Sequence, residues 1–220
     1  MATVLSPPER LVTLRGISWH TYNCIIAEHG ERGGTRFTYD DGVLEIMVLS
    51  SRHEEANRTL ALLVEVLAEE MSVDLRRFGS TTFRRQDLQK GFEPDSCFYI
   101  QNVQAVTGKD EIDLSASPPP DLIIEVDITG ESLDRLPIFA AVGVPELWRS
   151  DGDSVAIFRL EGAHYGEAHK SLAFPQLTRE IATRFLRESH ELSSTAWLRG
   201  VREWARSNVV GVLSPDGDGR

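Results

Sequence analysis

Residues Pro118–Asp127 read PPPDLIIEVD. The three prolines hold the approach extended, because the residue before each proline is pushed out of the helical region. The apolar run that follows is continuous rather than alternating and rich in β-branched side chains, which marks a strand covered on both faces. Glu125 is its anomaly. A charged carboxylate in such a strand is expensive unless it is paired or coordinates a metal. Strand alternation places Ile123, Glu125 and Asp127 on one face, with Asp121 added if the strand begins there. A cation would satisfy such a row of acids, and an all-oxygen ligand set selects Mg²⁺ or Mn²⁺ over zinc. Acids at strand ends ordinarily face solvent, so Asp121 also reads as a turn residue.

Working outward, Ser96–Ile100 is a second compact apolar run, and Asp95 stands at its entry after Pro94. Downstream, Leu133–Val142 reads as a short helix with Pro137 in its first turn and Gly143 as its stop. Glu146–Arg149 and Val155–Leu160 read as strands joined by a turn at Asp151, Gly152 and Asp153. Upstream, His53–Met71 carries Leu60, Leu63, Val64, Leu67 and Met71 in one apolar stripe, with Ser51 as the expected cap. Before it come a helix over Ser18–Glu31 and a hairpin, Thr35–Tyr39 with Val43–Val48, turning at Asp40, Asp41 and Gly42. Short strands are expected near Val73–Arg76 and Thr81–Arg85, and closing helices near Thr178–Glu188 and Ser194–Ser207. The class is α/β of the α+β kind: a central mixed β-sheet flanked by helices, with an N-terminal helix-hairpin and C-terminal helices. Residues 1–212 form one domain, and the Gly/Asp-rich 213–220 is expected to be a disordered tail.

The chain has 220 residues, 41% hydrophobic and 26% charged, the composition of a globular protein able to bury a full core. It offers no run of the length a membrane span requires, and MATVLSPPERLVTL does not read as a secretory signal. Both point to the cytoplasm. Cys24 and Cys97 are far apart, and the apolar setting of Cys97 suits a buried free thiol. The formal net charge of −11 opposes nucleic-acid binding in general, although metal-binding carboxylates contribute to it. The six histidines show no zinc-ligand pairing, and no phosphate-cradling loop or nucleophile elbow is present.

Three blocks, RRQDLQKGFEPDSCFYI (84–100), PPPDLIIEVDITGESLDR (118–135) and FAAVGVPELWR (139–149), resemble the Uma-two family of restriction endonucleases, within the PD-(D/E)XK nuclease superfamily. The resemblance runs from about 37 to 185. It implies a restriction-endonuclease-like core of a helix, three strands, a helix and a fourth strand, which coincides with the elements read above. It also implies that Asp95 and Glu125 are the metal-binding acids, with Glu54 as a further acid and His53 beside it. Two departures bear on cleavage. Where the superfamily has Glu-x-Lys, Glu125 and Val126 are followed by Asp127. Where relatives carry a later lysine this chain has Arg135, which cannot act as a general base at neutral pH. Lys90 is the nearby lysine.

The implied reaction is Mg²⁺- or Mn²⁺-dependent hydrolysis of a phosphodiester in nucleic acid, DNA first. Asp95, Glu125 and the Val126 carbonyl would hold the ion, Arg135 or Lys90 would stabilise charge on phosphorus, and Asp127 would hold a second metal or a water. Arg76, Arg77, Arg84 and Arg85 are candidates for backbone phosphate contacts, or solvated strand-face charges. A homodimer is a further expectation, with Trp197 and Trp204 at the contact. Two alternatives stand: a catalytically inactive member of the fold acting as a binding protein, and a hydrolase of smaller phosphate esters.

Overall fold

The computed structural model describes residues 10–30, 34–79, 81–130 and 133–208; the expected tail at 213–220 lies outside them. A first group of elements comprises β1 (Arg10–Arg15), α1 (Trp19–His29), β2 (Thr35–Asp40), β3 (Val43–Val48) and α2 (Ser51–Glu70). Next come β4 (Arg76–Arg77), β5 (Phe83–Arg85), β6 (Lys90–Phe92), β7 (Ser96–Tyr99) and α3 (Val103–Val106). The rest is β8 (Leu122–Val126), α4 (Leu136–Val142), β9 (Glu146–Ser150), β10 (Val155–Glu161), β11 (His164–Ala168), α5 (Arg179–Glu191) and α6 (Ser194–Asn208).

The strands divide into two sheets. One is a mixed six-stranded sheet ordered β11-β10-β9-β8-β7-β4, in which β8 and β9 run parallel through the α4 crossover and the other pairs are antiparallel. The other is an antiparallel five-stranded sheet ordered β1-β3-β2-β6-β5. The sequence reading anticipates the mixed sheet and its flanking helices but not the second sheet. The stretches expected near Val73–Arg76 and Thr81–Arg85 prove to belong to different sheets. Strands as short as β5 and β6 carry no periodicity from which a partner is readable.

Local chemistry explains the boundaries. Ser18 Oγ accepts from Thr21 N at the start of α1, and Gly30 closes that helix at φ +62°. The β2–β3 hairpin turns through Asp41 and Gly42, both at positive φ as a type I′ turn requires. The cap of α2 is Ser50 rather than Ser51, since its Oγ reaches His53 N three residues on. In α4 the helix begins at Leu136, which leaves Pro137 in the first turn where no intrahelical N–H is needed.

β8 is buried throughout, and each face has its own core. Leu122, Ile124 and Val126 pack with α2, α5 and α6 through Leu60, Leu63, Phe185 and Trp197. Ile123 packs with α4 and the β5–β6 end of the other sheet through Phe139, Phe83 and Phe92. Cys97 is a buried free thiol in that second core. Trp197 is buried and donates to the Phe185 carbonyl, while Trp204 packs edge-on against the Phe185 ring. Both tryptophans named for a dimer contact pack on Phe185 of their own chain, Trp204 remaining partly exposed. No described helix is long and apolar enough to cross a membrane.

Candidate active site

The register Ser96↔Ile124, continued one step, sets Asp95 against Glu125 on neighbouring strands. Strand alternation then turns Glu125 to the α4 side of the six-stranded sheet, while Asp95, just before β7, stays within reach of the N-terminal turn of α2. Asp95 is buried, and its Oδ2 accepts from Val126 N at 2.8 Å, one residue beyond Glu125. Nε2 of the fully buried His53 lies 3.2 Å from the same oxygen. The Asp95 carbonyl accepts from Asn57 Nδ2, and Asn57 Oδ1 accepts from Ser96 Oγ, so α2 clamps the strand entry on both sides of the carboxylate.

Glu125 is held differently. Arg135 Nη1 donates to Glu125 Oε2 at 2.6 Å, and Arg135 Nη2 donates to Glu45 Oε1 at 3.1 Å. The second oxygen of Glu45 accepts from Leu133 N at 2.5 Å. Burial pushes the Glu125 carboxyl up to about 7; Arg135 opposes this, and the nearby Asp95 charge adds to it. For Arg135 the surrounding carboxylates outweigh burial and hold it more firmly charged than usual.

The roof of the site is the five-stranded sheet. Thr38 and Glu45 are register partners, as are Arg36 and Met47, so Arg36, Thr38 and Glu45 are all buried in the sheet that faces the acids. Arg36 Nε approaches Asp95 Oδ1 at 3.6 Å, too far for a hydrogen bond. Five atoms in this seam are buried without a hydrogen-bond partner among the described residues: Asp95 Oδ1, Glu125 Oε1, Thr38 Oγ1, Arg36 Nε and Arg135 Nε. Native interiors tolerate few such groups, and a concentration of them marks a place where an ion or water belongs.

That arrangement fits a hard divalent ion. Among the described residues no cluster of three or more His, Cys, Asp or Glu side chains is placed to hold a metal by protein ligands alone. Mg²⁺ is commonly held by one or two carboxylates and keeps several waters. Asp95 and Glu125 offer one oxygen each that takes no hydrogen bond, the one on Asp95 having the Arg36 guanidinium 3.6 Å away. A cavity of about 160 Å³ opens beside Glu125, lined also by Val126, Asp127, Arg135 and Arg149.

Other expected residues lie elsewhere. Asp127 follows the end of β8, lines that cavity and accepts from Gly130 N at 2.7 Å. Asp121 is saturated at the far end of β8 by Ile100 N, Asn102 N and Asn102 Nδ2. Lys90 pairs with Asp40 across β6 and β2. Glu54 pairs with Arg58 on the surface of α2 and lines an external groove. Arg76 donates to the carbonyls of Val106 and Lys109, and Arg85 grips both oxygens of Asp87. Arg77 pairs with Glu65, and Arg84 donates to Asn23 Oδ1; both are exposed. Glu45, Arg36 and Thr38 were not singled out from the sequence. The available signal was Glu45 between Leu44 and Ile46, an acid in an apolar run like Glu125.

A family model described as "Putative restriction endonuclease" (Uma2) matches residues 19–188. Among solved structures, a crystal structure described as a putative nuclease belonging to DUF820 from Anabaena variabilis is similar at 14% identity and a TM-score of 0.48. The match covers 68% of this chain and 90% of that one. No curated protein matches.

Proposed function

The chain belongs to the Uma2 family of restriction-endonuclease-type proteins, and from that premise we propose that it is a divalent-metal-dependent endonuclease hydrolysing phosphodiester bonds of nucleic acid, DNA first. The observation that carries this reading is the pair of buried carboxylate oxygens, Asp95 Oδ1 and Glu125 Oε1, left without hydrogen-bond partners at the entry to β7 and on the adjoining β8. Mg²⁺ or Mn²⁺, when bound there, supplies Lewis acidity toward a phosphate and makes hydroxide available near neutral pH. The chain's own residues do the rest. Val126 N–H and His53 orient Asp95 through Oδ2 and leave Oδ1 for the ion. Arg135 holds Glu125 through Oε2 and leaves Oε1. The Val126 carbonyl is a candidate further ligand, and Asp127 a candidate holder of a water. Arg77 in β4 and Arg84 in β5, both exposed, are the candidates for phosphate contact along a duplex, more so than the less exposed Arg76 and Arg85.

A second reading is a non-cleaving member of the same fold that binds rather than hydrolyses. Arg135 supports it: an arginine buried on Glu125 cannot take up a proton at neutral pH, and Lys90, the nearby lysine, is engaged by Asp40.

Calorimetry with Mn²⁺ and a plasmid-nicking assay test both. The nuclease reading expects millimolar or tighter Mn²⁺ binding that Asp95→Asn abolishes, together with metal-dependent nicking lost in the same variant. Binding without nicking selects the second reading. A wild-type protein that binds no Mn²⁺ overturns the metal centre altogether.

A further inference from the structure

Arginine ordinarily grips a carboxylate with two parallel N–H···O bonds, taking both of its oxygens. Arg135 does not grip Glu125 in this way. Its two terminal nitrogens are divided: Nη1 goes to Glu125 and Nη2 to Glu45, and Nε has no partner. Both carboxylates and the guanidinium are more than nine-tenths buried, so water does not set this division; the geometry of the three side chains does. Glu45 also accepts from Leu133 N, and so fixes the backbone two residues before Arg135. It reaches across from β3 in the opposite sheet.

We propose that Glu45 is a positioning residue for the metal centre: by holding Arg135 Nη2 it keeps the guanidinium from closing on both oxygens of Glu125, and so keeps Oε1 free to ligate. The inference rests on the reading of Asp95 and Glu125 as metal ligands. Without Glu45, the unpartnered second oxygen of Glu125 is an acceptor to which Nη2 can turn, since Nη1 already holds that carboxylate. The two-pronged grip would then cancel the charge of that carboxylate and occupy the oxygen the ion needs. Lysine in place of arginine cannot do this, because an ammonium is a point charge without the planar fork.

The test is Mn²⁺ calorimetry on the full chain, with thermal melts run in parallel to certify folding. Glu45→Met, which keeps the length of the side chain and removes its acceptors, is expected to weaken Mn²⁺ binding by about tenfold or more, equivalent to about 1.4 kcal/mol. The double variant Glu45→Met/Arg135→Lys carries the same charge as the single one and is expected to regain affinity to within about threefold of wild type. Glu45→Asp, which keeps the charge and withdraws it by one methylene, is expected to fall between and serves if the methionine variant does not fold. If Glu45→Met binds as the wild type does, or the lysine double variant stays as weak as the single one, Glu45 has no positioning role. A wild type that binds no Mn²⁺ overturns instead the metal-centre reading on which the inference stands.

Discussion

Three buried acids of the six-stranded sheet show what separates structure from chemistry at the scale of one residue. Glu146 is buried yet fully served, accepting from Trp148 Nε1 and from the backbone of Leu172 and Ala173. Asp121 is likewise saturated by three donors. Of these three, Glu125 keeps an oxygen with no hydrogen bond, as Asp95 beside it does. Asp121→Ala should therefore lower stability by about 3 kcal/mol in urea titration, by stranding buried donors, and leave Mn²⁺ affinity unchanged. Glu125 should govern the response to pH. Its folded carboxyl sits near 7, above the ordinary 4.5, so between those values the native state holds more proton than the unfolded chain. Stability from this group is complete below about 4.5 and is lost as pH rises through about 7, at most about 3 kcal/mol in all. Thermal melts across pH 5 to 8 should show that fall, and Glu125→Gln should flatten it. Because the ion requires the ionised form, Mn²⁺ affinity should climb with pH over the same interval and level off above it.

Elements were legible in proportion to the strength of their pattern. The stripe of α2 and the unbroken apolar run of β8 announce themselves because burial on one stripe, or on two faces, leaves a periodic trace. The same run exposes Glu125, since an acid is anomalous there. β2 and β3 mislead for the opposite reason. Their alternation announces a hairpin but not what covers its polar face, and Arg36, Thr38 and Glu45 on that face are buried, with Arg36 and Glu45 reaching Asp95 and Arg135. Pairing partners of β5 and β6, three residues each, have no sequence signal at all. Packing between elements nevertheless makes sharp demands on them. A methyl group on Gly91 in β6 would collide with the Tyr22 ring of α1, its Cζ only 2.6 Å away, and Tyr22 is itself stacked on Tyr39. Gly91→Ala is expected to shift the urea midpoint by the equivalent of about 2–3 kcal/mol without disturbing the carboxylates.

For the molecule as a whole, the balance of charge sets the terms on which a polyanion is met. A net charge of −11 repels nucleic acid at long range, so productive contact must rest on a few local cations. Arg77 and Arg84 are exposed on different sheets, at β4 and β5. Replacing both with glutamine should weaken duplex binding and reduce the slope of log affinity against log salt by about 2, measured by fluorescence anisotropy. A slope that does not move would assign these arginines to their intramolecular partners alone.

The carboxylate–guanidinium–carboxylate bridge joins Glu45 of one sheet to Glu125 of the other through Arg135, which lies 90 positions from Glu45 in the chain. Ionic partners sealed from water answer for each other's charge, so neither can be exchanged alone without stranding the other. Descendants of this sequence are therefore expected to inherit Glu45 and Arg135 together or to lose them together. A lineage in which position 135 becomes lysine should be released from keeping the acid at position 45.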